Sequence, residues 1–367
     1  MEFSWLENEK KIRCIYWADR IEINTVVDNM DQCDELQIWY PKTVDEKIYG
    51  QYRELLTFIE LEGSPEGNSY TYENSLTLSD DEIYQKISKN KRYEIRRARE
   101  RDCVTVELIE DISETDFSRY LEFYNQFALS KNLNIKNGEK EKSLIKNGMF
   151  CIAIAKDGEE ILAMHGYILD KEESRVLLYT SASTRCYEKE KANLIGRANC
   201  LLHYECMLFF KQKNYKIYDF SGAYLGEENK EFINITEFKM LFGGDLASYK
   251  NGFVIPIKEI SIIEENLQKY REQMITKKVV LWGMGSYGKY IARRIEEEFH
   301  KKISIIIDNR LAKESSDYMQ EDILRTLSPK EYILLISVCP ESLAPILALD
   351  LCNKFVDAGN CVCMRCM

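Results

Sequence analysis

Lys239 is the one basic residue in an otherwise largely apolar stretch, INITEFKMLFGG at residues 233–244. Phe238, Leu241 and Phe242 recur at i, i+3 and i+4, the spacing of a single buried helical stripe. Gly243 suits the left-handed turn that closes a helix. Lys239 then rides on the flank of that helix, where an ammonium could stabilise the oxyanion of an ester or thioester under attack, or hold a phosphate. An exposed lysine completing an amphipathic helix accounts for the same spacing. Acyl transfer to an amine also needs a group to take a proton. His165 in AMHGYI, His203 and Glu205 in LLHYECMLFF, and Asp219 in KIYDFSGA are the candidates. Correct orientation alone can supply much of such a rate, and a base near neutrality adds roughly 10²–10⁴-fold. The apolar run around His203 equally suits a satisfied core histidine.

A second constellation surrounds Asn193-Leu194-Ile195-Gly196-Arg197-Ala198, at the start of a long apolar helix. Small residues in a first turn let a ligand meet the backbone, and the free N–H groups and helix dipole favour a pyrophosphate. Asn193, Gly196, Arg197 and Ala198 are therefore expected to bind a donor cofactor. Residues 86–101, KISKNKRYEIRRARER, carry eight Lys or Arg against two Glu, a local excess that attracts phosphates on a chain whose net charge is −11. Arg92, Arg96 and Arg97 on this helix could meet the phosphates of a tRNA. A solvated, ion-paired surface helix is the competing reading.

Strand and helix patterns must position these groups. Strands are expected at 36–40 and 55–61. A helix follows from SLTLSDDEIYQKI, with Ser79 and Glu82 at the spacing of a reciprocal cap. The basic helix comes next, then a strand at 103–109, a helix at 114–130, and strands at 150–156 and 160–169. A strand at 175–183 leads into the long helix of residues 189–214. A strand at 216–223 precedes the segment that carries Lys239.

The second half changes pattern. Residues 258–277 read as a polar linking helix, and KKVVLWGMGSYGKYIARRI then runs strand, glycine turn, helix. Gly283, Gly285 and Gly288 form a G-x-G-x-x-G fingerprint, with Asp308 following a second strand, KISIII. Gly283 would permit the tight turn, Gly285 a phosphate approach, Gly288 close helix–strand packing, and Asp308 would bind ribose hydroxyls. About 90 residues make one mononucleotide unit rather than the pair that holds a dinucleotide. A nucleotide or nucleotide-sugar is the expected ligand, and a degenerate docking module is the alternative.

The 367 residues suit two domains, and 45% hydrophobic with 30% charged residues is an ordinary globular balance. There is no apolar run long enough to span a membrane and no basic, apolar leader, so a cytoplasmic protein is expected. The net charge argues against coating of nucleic acid or anionic lipid. Twelve cysteines, scattered rather than framed, read as reduced thiols. Cys361, Cys363 and Cys366 in the tail lack a second ligand cluster, so a terminal strand is preferred to a metal site.

Three stretches carry a family resemblance. KRYEIRRARERDCVTVE (91–107), NYKIYDFSGA (214–223) and ITEFKMLFGG (235–244) resemble, in order and spacing, segments of Fem-type peptidoglycan-bridge aminoacyltransferases, and residues 193–198 resemble the pyrophosphate signature of the GNAT superfamily. Asn193 stands where that signature has Gln or Arg, and Ser221 where the family has a glycine. The resemblance covers roughly residues 70–257 and implies an α/β fold, with a GNAT-like mixed sheet followed by a Rossmann-like parallel sheet. The expected domains are 1–80, a cap or shortened first subdomain; 81–257, the acyltransferase domain; 258–276, the linker; and 277–367, the Rossmann-like module. That module is similar to nucleotide-sugar-binding modules of some sugar acetyltransferases and sugar methyltransferases. The resemblance implies an N-acyltransferase moving an acyl group from coenzyme A, or a related thioester, to an amine on a sugar or amino-acid-like acceptor, in cell-surface polysaccharide or small-molecule biosynthesis. Lys239, Asp219 and His203 would be catalytic. An aminoacyl-tRNA donor and a non-enzymatic nucleotide-binding scaffold are the alternatives.

Overall fold

The computed structural model describes residues 1–59 and 64–366 and is a mixed α/β structure. The first part comprises β1 (Glu2–Glu7), β2 (Lys10–Tyr16), β3 (Arg20–Ile21), α1 (Ile23–Val27), β4 (Glu35–Trp39), β5 (Thr43–Val44), α2 (Glu46–Tyr52) and β6 (Thr57–Phe58). The middle runs β7 (Asn68–Ser75), α3 (Asp80–Lys86), α4 (Lys89–Glu100), β8 (Thr105–Ile109), α5 (Glu114–Ser130), α6 (Glu139–Lys146), β9 (Phe150–Asp157), β10 (Glu160–Asp170), β11 (Arg175–Ser183), α7 (Ala192–Gln212), β12 (Ile217–Ala223), α8 (Lys230–Met240), β13 (Asp245–Lys250) and β14 (Phe253–Ile255). The last part holds α9 (Ile257–Lys269), α10 (Arg271–Thr276), β15 (Lys278–Trp282), α11 (Ser286–Phe299), β16 (Ile305–Ile307), β17 (Tyr332–Ile336), α12 (Pro340–Leu347), α13 (Asp350–Asp357) and β18 (Cys361–Cys363). The strand expected at 55–61 is reduced to β6, and its residues 60 and 61 lie outside the described residues.

A seven-stranded sheet, in the order β13-β7-β12-β11-β10-β9-β8, positions the candidate chemistry. One face packs against α7, α3 and α4 through Ile83, Ile95, Ile195 and Leu202; the other packs against α5, α6 and the aromatic strands β1 and β2. Local rules set the ends of these helices. Ser79 caps α3 and Ser113 caps α5, each with its third residue returning the bond, an arrangement that contributes about 1 kcal/mol per cap. Asn229 caps α8 by accepting from the amides of Glu231 and Phe232.

β11 and β12 are parallel but paired over only three positions, ending at Leu177 opposite Asp219. Beyond that point no register pair joins them among the described residues, although β11 runs on to Ser183 and β12 to Ala223. The two strands therefore part. A bulge in β12 between Asp219 and Gly222 accompanies the opening, with Ser221 at φ 63°. That left-handed conformation is costly for a residue bearing Cβ.

The ends of the chain share one core. Residues 258–276 are no polar tether. Ile257, Ile260, Ile262, Ile263 and Leu267 of α9 are buried, between the sheet β1-β2-β4-β14-β6 and the parallel sheet β16-β15-β17-β18. β14 inserts between β4 and β6 of the first part of the chain. Arg293 of α11 grips Glu54 through two nitrogens, at 3.0 and 2.9 Å, and donates to the Gln51 carbonyl.

Candidate functional site

A cleft of about 860 Å³ lies between α4, the start of α7 and Phe238 of α8. α4 packs lengthwise on α7, with Ile95 and Ala98 turned inward, so its polar face carries the basic residues to the cleft rim. Seven basic side chains line it (Lys89, Lys91, Arg92, Arg96, Arg97, Arg185 and Arg197) against one acid, Glu94. Part of this charge is neutralised: Lys91 pairs with Glu94 at 2.7 Å and Arg197 with Asp102 at 2.5 Å. Lys89, Arg96 and Arg185 are exposed and have no carboxylate partner among the described residues. Such an excess inside a concave surface concentrates anions.

The residues expected to bind a donor divide. Asn193, Gly196 and Arg197 line this cleft. A Cβ on Gly196 would lie 3.7 Å from the guanidinium of Arg185, so the wall is open there. The helix begins at Ala192 rather than later, which places Gly196 in its second turn, where amides are already bonded within the helix. The Ala192 amide already donates to the Lys189 carbonyl of the preceding turn, which leaves the amides of residues 193 and 194 at the helix start. Ala198 is fully buried against the sheet and cannot meet a ligand.

The expected catalytic residues sit beneath and beside the cleft. Lys239 is half-buried, and its ammonium donates to the carbonyls of Ser221 at 3.2 Å and Gly222 at 2.5 Å, on the β12 bulge. It does not line the cleft. Burial lowers its pKa to about 8, with Asp219 opposing. On the other side of α8 a groove of about 1000 Å³, walled by Gly222, Ala223, Phe232, Ile235 and Thr236, opens near the same bulge. The end of α8 is fixed: the Asn74 side chain donates to the Phe242 carbonyl at 2.8 Å, and the Ser88 amide to that of Leu241 at 2.9 Å. Gly243, at φ 77°, lies so close to the Lys86 carbonyl that a Cβ would stand 2.3 Å from it.

Asp219 is not a free base. It is fully buried, 2.9 Å from the guanidinium of Arg175, and accepts from the Thr71 hydroxyl and the Ser221 amide. Burial pushes its carboxyl pKa up and Arg175 pulls it back. Arg175 also meets Glu73 at 2.5 Å and the Tyr249 hydroxyl at 2.9 Å, making a buried polar knot that fastens β11, β12, β7 and β13. His203 is likewise buried, ringed by Phe220, Phe238 and Phe242. Its Nδ1 is 2.9 Å from the Tyr218 hydroxyl, which is 2.9 Å from that of Tyr167. Tyr167 reaches His165 Nδ1 at 2.9 Å, and His165 Nε2 reaches Asn199 Oδ1, on the cleft wall, at 2.8 Å. Burial holds both imidazoles neutral, with the His165 pKa at about 4 and that of His203 well below its usual range. Glu205 is spent on Arg99.

In the C-terminal segment, Gly283 takes a φ of 96°, and a Cβ on Gly288 would collide with the Gly283 carbonyl at 2.1 Å. Gly285 faces open space. Asp308 is committed to backbone: it accepts from the amides of Met284, Arg310 and Leu311, each at 3.1 Å. Burial opposes, but these bonds hold its carboxyl below the usual range. These three bonds leave the carboxylate about one further acceptor site. No metal-holding cluster of His, Cys, Asp or Glu exists among the described residues, and no helix among them is long and apolar enough to cross a membrane.

No protein-family model and no curated protein matches the chain. Solved structures similar to it include FemX, at 11% identity and TM-score 0.48 over 66% of this chain and 80% of that one. L-PGS from Bacillus licheniformis is similar at 13% identity and TM-score 0.40, over 69% and 83%. An aminoglycoside acetyltransferase from an uncultured soil metagenomic sample, in complex with sisomicin, is similar at 13% identity and TM-score 0.28, over 37% and 85%. At these identities and scores none of them carries a function to this chain.

Proposed function

We propose that the chain is an acyltransferase whose donor places its phosphates in the cleft between α4 and α7. The carrying observation is the imbalance of seven basic side chains to one acidic, with Lys89, Arg96 and Arg185 unpaired among the described residues. Arg185 stands over the open Gly196 wall, where a pyrophosphate would reach both the guanidinium and the first amides of α7. Where β11 and β12 part, backbone groups on the facing edges lack ladder partners and can bind the pantetheine-like arm of a coenzyme A thioester. The acyl group then comes near the Ser221–Gly222 bulge, and Lys239 supplies the positive charge for the developing oxyanion. An amine acceptor approaches along the groove on the other side of α8. Proton transfer proceeds to water, because Lys239 serves as the cation and Asp219 and His203 are enclosed.

The domain reading follows the same logic. Residues 81–257 would perform the transfer, while residues 277–367 would serve as a docked module sharing a core with the first strands. A nucleotide or nucleotide-sugar on its glycine turn would share Asp308 with the backbone amides of Met284, Arg310 and Leu311.

The breadth of the basic surface favours a second donor, an aminoacyl-tRNA, with Arg92, Arg96 and Arg97 against its phosphates. A thermal-shift panel of coenzyme A, tRNA, UDP-sugar and NAD separates the readings, since a ligand stabilises according to its occupancy. Coenzyme A should raise Tm at submillimolar concentration. A shift with tRNA alone, vanishing steeply with salt, would select the second donor. No shift with either would remove the transferase reading.

A further inference from the structure

Asn199 lies on the stripe of α7 that faces the cationic cleft. Ala192, Ile195, Gly196 and Asn199 recur at i, i+3, i+4 and i+7, and all of them line it. The Asn199 carboxamide is only half committed. Its Oδ1 is 2.8 Å from Nε2 of His165 on β10, whereas its Nδ2 makes no hydrogen bond among the described residues and is not enclosed by them. The acid of the cleft does not claim that nitrogen, because Glu94 is paired with Lys91 and accepts from the Cys200 thiol at 3.0 Å.

The groups behind Oδ1 fix which way the amide points. His165 is fully buried and neutral, so its ring carries one proton. An amide oxygen only accepts, which puts that proton on Nε2 and leaves Nδ1 to accept from the Tyr167 hydroxyl at 2.9 Å. The Tyr167 oxygen accepts from Tyr218, and the Tyr218 oxygen from His203 Nδ1, each at 2.9 Å. Four buried side chains thus hold their protons in one direction, and turning the Asn199 amide over would reverse every one of them. The Nδ2 protons therefore face the cleft.

Asn199 follows Asn193 along α7 by about 9 Å at the rise of an α-helix. A pyrophosphate held by Arg185 and the free amides at the helix start does not reach that far. We infer that Asn199 is a specificity residue of the cleft, binding through Nδ2 an uncharged carbonyl oxygen on the arm that follows the donor's phosphates, with His165 as the residue that positions it. This role rests on the proposed donor site and reads the arm rather than the phosphates.

The test is calorimetry on the full chain with coenzyme A and with 3′-phospho-ADP, which keeps the phosphates and lacks the arm. Asn199→Ala and Asn199→Leu should each weaken coenzyme A at least tenfold and leave 3′-phospho-ADP within about twofold of the wild type. Both variants are needed because leucine sets an apolar group against the buried His165 N–H, whereas alanine leaves room for a water there. Nitrogen-15 NMR of the 3 histidines should show His165 protonated at Nε2 and bare at Nδ1. Unchanged coenzyme A affinity in a folded variant, an equal loss of both probes, or a His165 proton on Nδ1 would each overturn the inference while leaving the cleft as the donor site. A wild type that binds neither probe would remove the donor site and this role with it.

Discussion

The ammonium of Lys239 donates to the carbonyl oxygen of Gly222 at 2.5 Å, joining the last turn of α8 to the bulge where β12 leaves β11. One side chain thereby marks the place where the sheet opens and supplies a positive charge beside it. With its pKa lowered to about 8 by burial, Lys239 is cationic at neutral pH and loses its proton under mildly alkaline conditions.

Two consequences follow for Lys239. If the cation serves the oxyanion, turnover should fall as pH rises through about 8, and Lys239→Met should lower kcat by roughly 10²–10³-fold. The folded-state pKa lies below the 10.5 of a free lysine, so between these values the unfolded chain binds more protons. Stability should therefore rise with pH across about 8 to 10.5. Lys239→Met should remove that increment, as urea melts at pH 7.5 and pH 10 would show. A pH profile identical in the wild type and the variant removes the catalytic cation.

Asp219 and Arg175 form a structural pair. Asp219→Asn leaves Arg175 with Glu73 and should destabilise the chain by about 3 kcal/mol, read as a lowered urea midpoint with an unchanged slope. Activity per folded molecule should stay within about tenfold of the wild type. A loss of 10³-fold in a folded variant would restore Asp219 as a base.

Ser221 holds a φ of 63°, in a conformation that a glycine adopts without strain. Among the described residues, the Ser221 hydroxyl that Ser221→Gly removes makes a long 3.4 Å contact with the Tyr40 hydroxyl. It should raise stability by about 1 kcal/mol, measured by thermal and urea melts. A destabilised variant would show that the Ser221 side chain, not the bulge, holds this corner.

The elements were legible in the sequence wherever periodicity and caps agreed: α3 with its Ser79–Glu82 cap, the two strands flanking Gly158, and the turn at Gly243 all lie where pattern places them. The destinations of polar side chains were not legible. Asp219 and His203 have the right chemistry for a base, and only three-dimensional packing reveals that Arg175 and three phenylalanines enclose them. Arg185 escaped attention because it follows the strand of residues 175–183 in a stretch that reads as an ordinary polar connection. Its position after a strand end facing a helix start was the available signal. Residues 258–276 misled because four isoleucines within the first seven residues of α9 were diluted by the charges after them.

The central claim is that the cleft between α4 and α7 holds the phosphates of the donor, and charge reversal at Arg96 and Arg185, which have no carboxylate partner among the described residues, tests it most directly. Coenzyme A is titrated calorimetrically into the wild type, Arg96→Glu and Arg185→Glu at low and physiological salt. The account predicts binding by the wild type that weakens with salt, at least a tenfold loss in each variant, and a flatter salt dependence in both. Binding of unchanged affinity in both folded variants would place the donor elsewhere and contradict the account.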